Sequence, residues 1–141
     1  MKATESKFSQ CLYFAANTLA RKVEKLALKS WKPVHLSPSH AYLLIMVLEQ
    51  PGLQPGCLAK HLQLSPSTIT RLIEKLEEKR LVTRETEGKT TLVFPSEEGK
   101  ALQPLLMDCL SDFHENSCCL ISLEERKSMV ANMCSLADKL G

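Results

Sequence analysis

Apolar residues recur along most of this chain at the three- and four-residue spacing of an amphipathic helix. In the N-terminal segment this spacing predicts a first helix over residues 6–31. Pro33 ends the helix because proline cannot donate the next hydrogen bond of the ladder. The apolar stripe of this helix consists of Phe8, Leu12, Ala15, Leu19, Val23 and Leu26.

Serine–proline pairs mark the start of two further helices. Serine is favoured as an N-cap and proline at the first helical position, so Ser37-Pro38 and Ser65-Pro66 each predict a helix start. A short helix lies between the two. The three predicted helices span residues 37–50, 55–61 and 65–79.

A short β-hairpin is predicted directly after these helices. The runs Leu81–Arg84 and Thr90–Phe94 are β-like, and Gly88 between them supplies the positive φ that a tight hairpin needs. The helical spacing then returns and predicts a long helix after Ser96 with a kink at Pro104.

A last helix is predicted to start at the capping sequence Ser122-x-x-Glu125. The predicted fold is therefore mainly α with a short β-hairpin wing. A winged helix-turn-helix at about residues 36–95 is flanked by N-terminal and C-terminal helices. The length of 141 residues favours a single domain over residues 1–141.

Composition excludes several classes of protein. The longest apolar run, Ala41–Leu48, is far shorter than the roughly 20 residues of a membrane span. The first ten residues lack the apolar stretch of a secretory signal. The sequence contains no glycine-rich phosphate loop, GxSxG elbow or HExxH motif. We therefore expect a cytoplasmic protein that is neither membrane-bound nor an enzyme.

The charge is unevenly distributed along the chain. The formal net charge is +2, but residues 1–40 carry +5, residues 41–53 carry −1, residues 54–95 carry +2 and residues 96–141 carry −4. The front half is thus basic and the tail acidic. Because the hairpin-containing segment is only mildly basic, we expect a modest affinity for nucleic acid.

Six cysteines offer candidate redox or metal chemistry. They form no CxxC pair, and without a secretory signal we expect reduced thiols. Two Cys–His pairs have the four-residue spacing of half a metal site, Cys57 with His61 and His114 with Cys118. No further ligand completes either pair. The sequence therefore predicts neither a metal nor another cofactor.

The helix that starts at Ser65 is suited to contact with double-stranded DNA. The second helix of a helix-turn-helix enters the major groove with its N-terminal side chains facing the bases. Ser67, Thr68 and Thr70 carry short hydroxyls for bases or phosphates. Arg71 is long enough for a two-bond contact to guanine, and Lys75 lies one turn further toward a phosphate.

Three stretches carry a family resemblance: LSPSH at residues 36–40, LxxHLQLSPSTITRLIEKLEEKRLVTR at 58–84 and SEEGKAL at 96–102. Their combination resembles the MarR family of bacterial transcriptional regulators. The resemblance implies a homodimer formed by helices at about residues 6–31 and 96–140. It also implies a palindromic operator, repression, and release by a small ligand or an oxidant.

The wing departs from the family pattern. Members of the family usually carry an Asp-x-Arg motif there, whereas this wing has Lys89 as its only cation and carboxylates at Glu85 and Glu87. We therefore expect affinity to depend mainly on the helix at 65–79. The predicted DNA-binding residues are Ser65, Pro66, Ser67, Thr68, Thr70, Arg71, Lys75, Arg84 and Lys89.

The resemblance also implies an effector site between the dimerisation helices and the winged domain. The candidate lining residues are Tyr13, Trp31, His40, Tyr42 and Phe113. Cys11, expected within the first helix, resembles the sensing cysteine of the hydroperoxide-responsive branch of the family.

Two other functions stay open at this point. The acidic wing favours a winged-helix module that binds a protein partner instead of an operator. The second alternative is a regulator that senses thiol oxidation or a metal.

Overall fold

The computed structural model describes residues 1–141 and consists of seven helices and one antiparallel hairpin. The helices are α1 (Leu12–Ser30), α2 (Pro38–Glu49), α3 (Pro55–Leu62), α4 (Pro66–Glu78), α5 (Glu97–Ala101), α6 (Gln103–Cys118) and α7 (Leu123–Leu140). The strands are β1 (Val82–Glu87) and β2 (Thr90–Pro95). Short 3-10 turns lie at Ala3–Glu5 and Lys32–Val34. The predicted fold class, mainly α with a hairpin wing, is confirmed.

The serine-capped helix starts are confirmed as well. The Ser65 hydroxyl accepts a hydrogen bond from the Thr68 N–H at 3.2 Å, which satisfies one of the unpaired donors at the start of α4. Ser37 and Ser122 cap α2 and α7 in the same way. Local sequence therefore determines where these three helices begin.

The hydrophobic core lies around α2, which packs against α3, α4, α6 and β2. The α1 helix joins this core through its C-terminal end and α6. The largest side chains that are fully buried are Trp31, Leu43, Leu44, Leu58, Ile69, Ile73, Leu76 and Leu106. One face of α4 is therefore buried in the core, and the opposite face is exposed to solvent.

The α3 and α4 helices form a helix-turn-helix, and the hairpin follows directly. Gln63 takes the left-handed conformation (φ 54°) that turns the chain between the two helices. In the hairpin Glu87 pairs with Thr90, so the connecting loop is only Gly88-Lys89, with Gly88 at φ 66°. Glycine at the first position of a two-residue loop is typical of a type II′ turn.

The junction between α4, β1 and α5 is held by hydrogen bonds of the Ser96 hydroxyl and by a close approach at Gly99. The Ser96 hydroxyl donates to the Arg80 carbonyl at 2.7 Å and accepts from the Gly99 N–H at 3.0 Å. A Cβ at Gly99 would lie 2.2 Å from the Leu81 carbonyl oxygen, so only glycine allows α5 to approach this closely. These contacts give the SEEGKAL stretch a structural role in fixing the base of the wing.

Three predicted boundaries were wrong. The first helix begins at Leu12 and not at Ser6, because the Ser6 hydroxyl accepts from the Phe8 N–H at 3.1 Å and stabilises a turn. Strand β1 continues to Glu87 because cross-strand pairing extends to the loop. The long helix predicted after Ser96 is in fact two helices, α5 and α6, and the helix is interrupted at Leu102.

Proline explains this last difference. Pro104 has no N–H, so it cannot continue the hydrogen bonds of α5, and it lies instead in the first turn of a new helix. In place of the expected kink, one helix therefore ends and a second begins.

The α7 helix packs little against the rest of the chain. None of its residues is buried, and only Arg126 is partly covered. Its large exposed apolar residues are Leu123, Met129, Val130, Met133, Leu136 and Leu140. The outer face of α1 is similar, with Leu12, Phe14, Leu19 and Val23 exposed. No helix of the chain has the length and apolar character needed to span a membrane.

Candidate DNA-binding site

The α4 helix has one buried face and one exposed face. Its buried residues are Ile69, Leu72, Ile73 and Leu76. Its exposed residues include Ser67, Thr70, Arg71, Lys75 and Lys79, the last at the C-cap. Because the apolar stripe anchors the helix, the polar side chains are presented to solvent beside the wing.

The hydroxyls at the start of α4 bond mainly to one another and to the helix. Ser65 Oγ lies 2.8 Å from Thr68 Oγ1 and 3.2 Å from Ser67 Oγ. Thr70 Oγ1 donates to the Pro66 carbonyl at 3.0 Å. These bonds hold the first turn in place, with Ser65 as the N-cap, and the side chains of Ser67 and Thr70 are exposed.

Arg71 is the cation of α4 that is best placed for a ligand. Its side chain is exposed and has no ion pair within the chain. Lys75, one turn further along, lies 3.5 Å from Glu78 in an exposed pair that costs little to separate. A guanidinium without a partner retains all five donors for an external acceptor.

The wing presents charges of both signs. Arg84 Nε on β1 lies 2.7 Å from Glu77 Oε1 on α4, so Arg84 is engaged within the chain. Lys89 is exposed at the tip of the wing, and Glu85 and Glu87 are exposed on β1. The wing tip therefore combines one cation with two nearby carboxylates.

The five residues assigned to an effector site do not meet in one place within the chain. Trp31 is fully buried and packs edge-on against Tyr42, with ring centroids 5.5 Å apart. Tyr13 is 69% exposed at the other end of α1. At 1.5 Å per residue, the 18 positions between Tyr13 and Trp31 span about 27 Å. A site that includes both residues would need a second copy of the chain.

The remaining two effector candidates lie on α2 and α6. Phe113 on α6 is partly buried against the core. His40 on α2 contacts the Ser37 hydroxyl through Nδ1. Burial, together with the positive charges of Lys79 and Lys75, holds the pKa of His40 below its ordinary value. Burial also raises the pKa of the Tyr42 phenol.

The cysteines are all free thiols. Cys11 is at the N-cap of α1 and not inside the helix as predicted, because the helix begins one residue later. No group of three or more His, Cys, Asp or Glu side chains is arranged to hold a metal ion. The Cys118 thiol is instead in contact with the Arg126 guanidinium.

Glu77 is a residue of this site that sequence reasoning missed. Its spacing beside Glu74, Lys75 and Glu78 is typical of a solvated charged helix face, but the Glu77 side chain reaches across to Arg84 on the wing. The seven-residue separation of the two side chains gave no local signal, because the pair spans the end of a helix and the start of a strand.

These features define a winged helix-turn-helix protein. Residues 36–90 match the family model described as the MarR family. The chain is 29% identical over 91 residues to the uncharacterized HTH-type transcriptional regulator YybA of Bacillus subtilis (strain 168), an alignment that covers 62% of this chain and 61% of YybA. The chain thus matches about three fifths of the length of that relative.

Solved structures share the fold. The MepR–DNA complex of S. aureus superposes with a TM-score of 0.80 at 19% identity, over 92% of this chain and 98% of MepR. The PcaV transcriptional regulator of Streptomyces coelicolor, in complex with its natural ligand, superposes with a TM-score of 0.83 at 18% identity over 100% of both chains. The match to the MarR family thus covers residues 36–90, and the chain as a whole has the winged helix-turn-helix fold of these solved structures.

Proposed function

We propose that this protein is a transcriptional repressor that binds a palindromic operator as a homodimer. The observation that carries the proposal is the exposed face of α4, where Arg71 has no partner within the chain and stands beside Ser67. Arginine that bonds to O6 and N7 of guanine is the commonest base-specific contact. A recognition helix makes this contact from the major groove, and Arg71 has its guanidinium free to do so. The MepR structure, a complex with DNA on this same fold, supports the proposal.

A second copy of the chain is the partner that fits α1 and α7. Both helices expose apolar stripes, and large exposed apolar faces mark interaction sites. The charges favour pairing between unlike ends, since residues 1–40 carry +5 and residues 96–141 carry −4. A two-fold dimer would place its two α4 helices about 34 Å apart, one turn of DNA, and we infer that residues 1–141 act as one unit in it.

We further propose that a small ligand or an oxidant lowers the affinity for DNA. PcaV, which has this fold, was solved with its natural ligand, and this supports a small-molecule effector. In a dimer, Tyr13 of one copy could complete a site with Trp31 and Tyr42 of the other. Cys11 is half-exposed at the start of α1 and is the candidate for an oxidant.

The test is selection from a pool of random DNA duplexes with the purified protein. We expect enrichment of a palindrome whose half-sites are one helical turn apart, with an affinity that falls steeply as salt is raised. The acidic wing supports the second candidate, a module that binds a protein through its apolar surface. No enrichment, or an interaction insensitive to salt, would favour that module and overturn the operator proposal.

A further inference from the structure

The exposed cations of α4 continue beyond the part of the helix suited to base contact. Arg71, Lys75 and Lys79 follow one another at successive turns, and all three are exposed. Lys79 Nζ donates to the His35 carbonyl at 3.3 Å, which joins the end of α4 to the turn before α2. The cationic side of α4 therefore ends against the first turn of α2.

His40 lies in that first turn of α2. The Ser37 hydroxyl contacts its Nδ1 and fixes the ring. The pKa of His40 is lowered, mainly by burial and then by the positive charges of Lys79 and Lys75. Both lysines belong to the C-terminal end of α4. His40, when protonated, thus joins Lys75 and Lys79 in a group of three cations. Lys75 also forms an exposed ion pair with Glu78 at 3.5 Å.

Like charges in such proximity repel unless an anion lies between them. A recognition helix lies in the major groove, which is bordered on both sides by the DNA backbone. The exposed cations of α4 continue from its base-contacting start to Lys79, so a phosphate is expected where they end beside the start of α2 if α4 occupies the groove. Phosphate contacts of this kind set the position of the protein on DNA and carry no sequence information.

We propose that His40, Lys75 and Lys79 form a backbone-contact patch that holds a phosphate of the DNA, and that His40 takes up a proton when DNA binds. The proposal rests on the proposed function, and it assigns His40 to the DNA interface instead of an effector site. The phosphate raises the pKa of His40 from its lowered value, so binding strengthens as pH falls.

The direction of the pH effect follows from linkage. The complex binds more protons than the free protein between the two pKa values of His40, so affinity rises as pH falls through the pKa of the complex. It levels off below the pKa of the free protein, which lies under 6.5. Each pKa unit between the two states corresponds to about a tenfold gain in affinity.

The experiment measures DNA affinity by fluorescence anisotropy from pH 7.5 to 5.5. The probes are the duplex most enriched by selection and a scrambled duplex of equal length. For the unmodified chain we expect tighter binding to both at low pH. His40→Gln should flatten this pH dependence, and His114→Gln, a variant of an exposed histidine on α6, should not.

A second variant keeps the test independent of any effect of His40→Gln on folding. Lys79→Gln alters an exposed side chain and should reduce the slope of log affinity against log salt by about 0.9, the value for one phosphate contact. Wild-type pH dependence in His40→Gln together with an unchanged slope in Lys79→Gln overturns the patch alone. Failure of the unmodified chain to bind either duplex overturns the proposed function as well.

Discussion

Arg84 on β1 and Glu77 on α4 form an ion pair, with Nε and Oε1 2.7 Å apart. The two side chains are 38% and 30% exposed, so water screens the pair and its contribution to stability is small. Its position matters more, because it links the base of the wing to the last turn of α4. The pair couples the direction of the wing to the helix that we propose to lie in the major groove.

This coupling predicts a rescue by charge exchange. Arg84→Glu and Glu77→Arg each place like charges side by side, and we expect each variant to lose about fivefold in operator affinity. The double variant, which restores an opposite-charge pair, should recover most of the loss. The measurement is a double-mutant cycle on DNA binding. If Arg84 contacts DNA directly, the double variant will stay as weak as Arg84→Glu.

The recognition helix should contribute more to specific binding than the wing tip. Arg71 has no partner within the chain, whereas Lys89 stands near the carboxylates of Glu85 and Glu87, which repel phosphate. We expect Arg71→Ala to weaken specific binding by about ten- to a hundredfold in a gel shift. Lys89→Ala should have a much smaller effect. Equal losses, or no loss at Arg71, would contradict this ranking.

Gly99 and Gly56 form a matched pair for a test of backbone packing. A Cβ at Gly99 would lie 2.2 Å from the Leu81 carbonyl oxygen, and a Cβ at Gly56 meets nothing within 4 Å. Gly99→Ala should lower the free energy of unfolding by about 1–3 kcal/mol because α5 must shift. Gly56→Ala should raise it by up to about 1 kcal/mol, since alanine favours a helix. Urea denaturation of both variants measures the free energy of unfolding. An unchanged value for Gly99→Ala would contradict the close approach of Gly99 to the Leu81 carbonyl.

The dimer proposal predicts different effects for two substitutions on α7. Met133 belongs to the exposed apolar stripe of the helix, and Ala131 lies on the opposite side. Met133→Glu should convert the dimer to a monomer because it buries a charge in the interface. Ala131→Glu introduces the same charge and should leave the dimer intact. Light scattering after size-exclusion chromatography measures the mass, and a dimeric Met133→Glu would argue against an interface at this stripe.

Sequence alone was sufficient where the signal is local. Ser37, Ser65 and Ser122 each cap the helix predicted from them, because an N-cap bond joins residues only three positions apart. The buried face of α4 also follows from its apolar spacing. These signals, with the hairpin glycine, were enough to predict the winged helix-turn-helix.

Sequence was less reliable where local preferences compete. The apolar spacing extended the first helix back to Ser6, but a side-chain bond from the Ser6 hydroxyl to the backbone stabilises a turn there. Pro104 signalled a kink, and whether the chain bends or breaks depends on how α5 and α6 pack. Such outcomes depend on small energy differences that spacing alone does not reveal.

The composition of the site was decided by tertiary structure. Ser65, Arg71 and Lys75 could be assigned from sequence because they share one helix. The ion pair of Arg84 with Glu77, and the approach of Lys79 to His35 across 44 positions, could not. Capping and amphipathic spacing act within a few residues of the chain, whereas these contacts exist only because the core brings α2, α4 and β1 together.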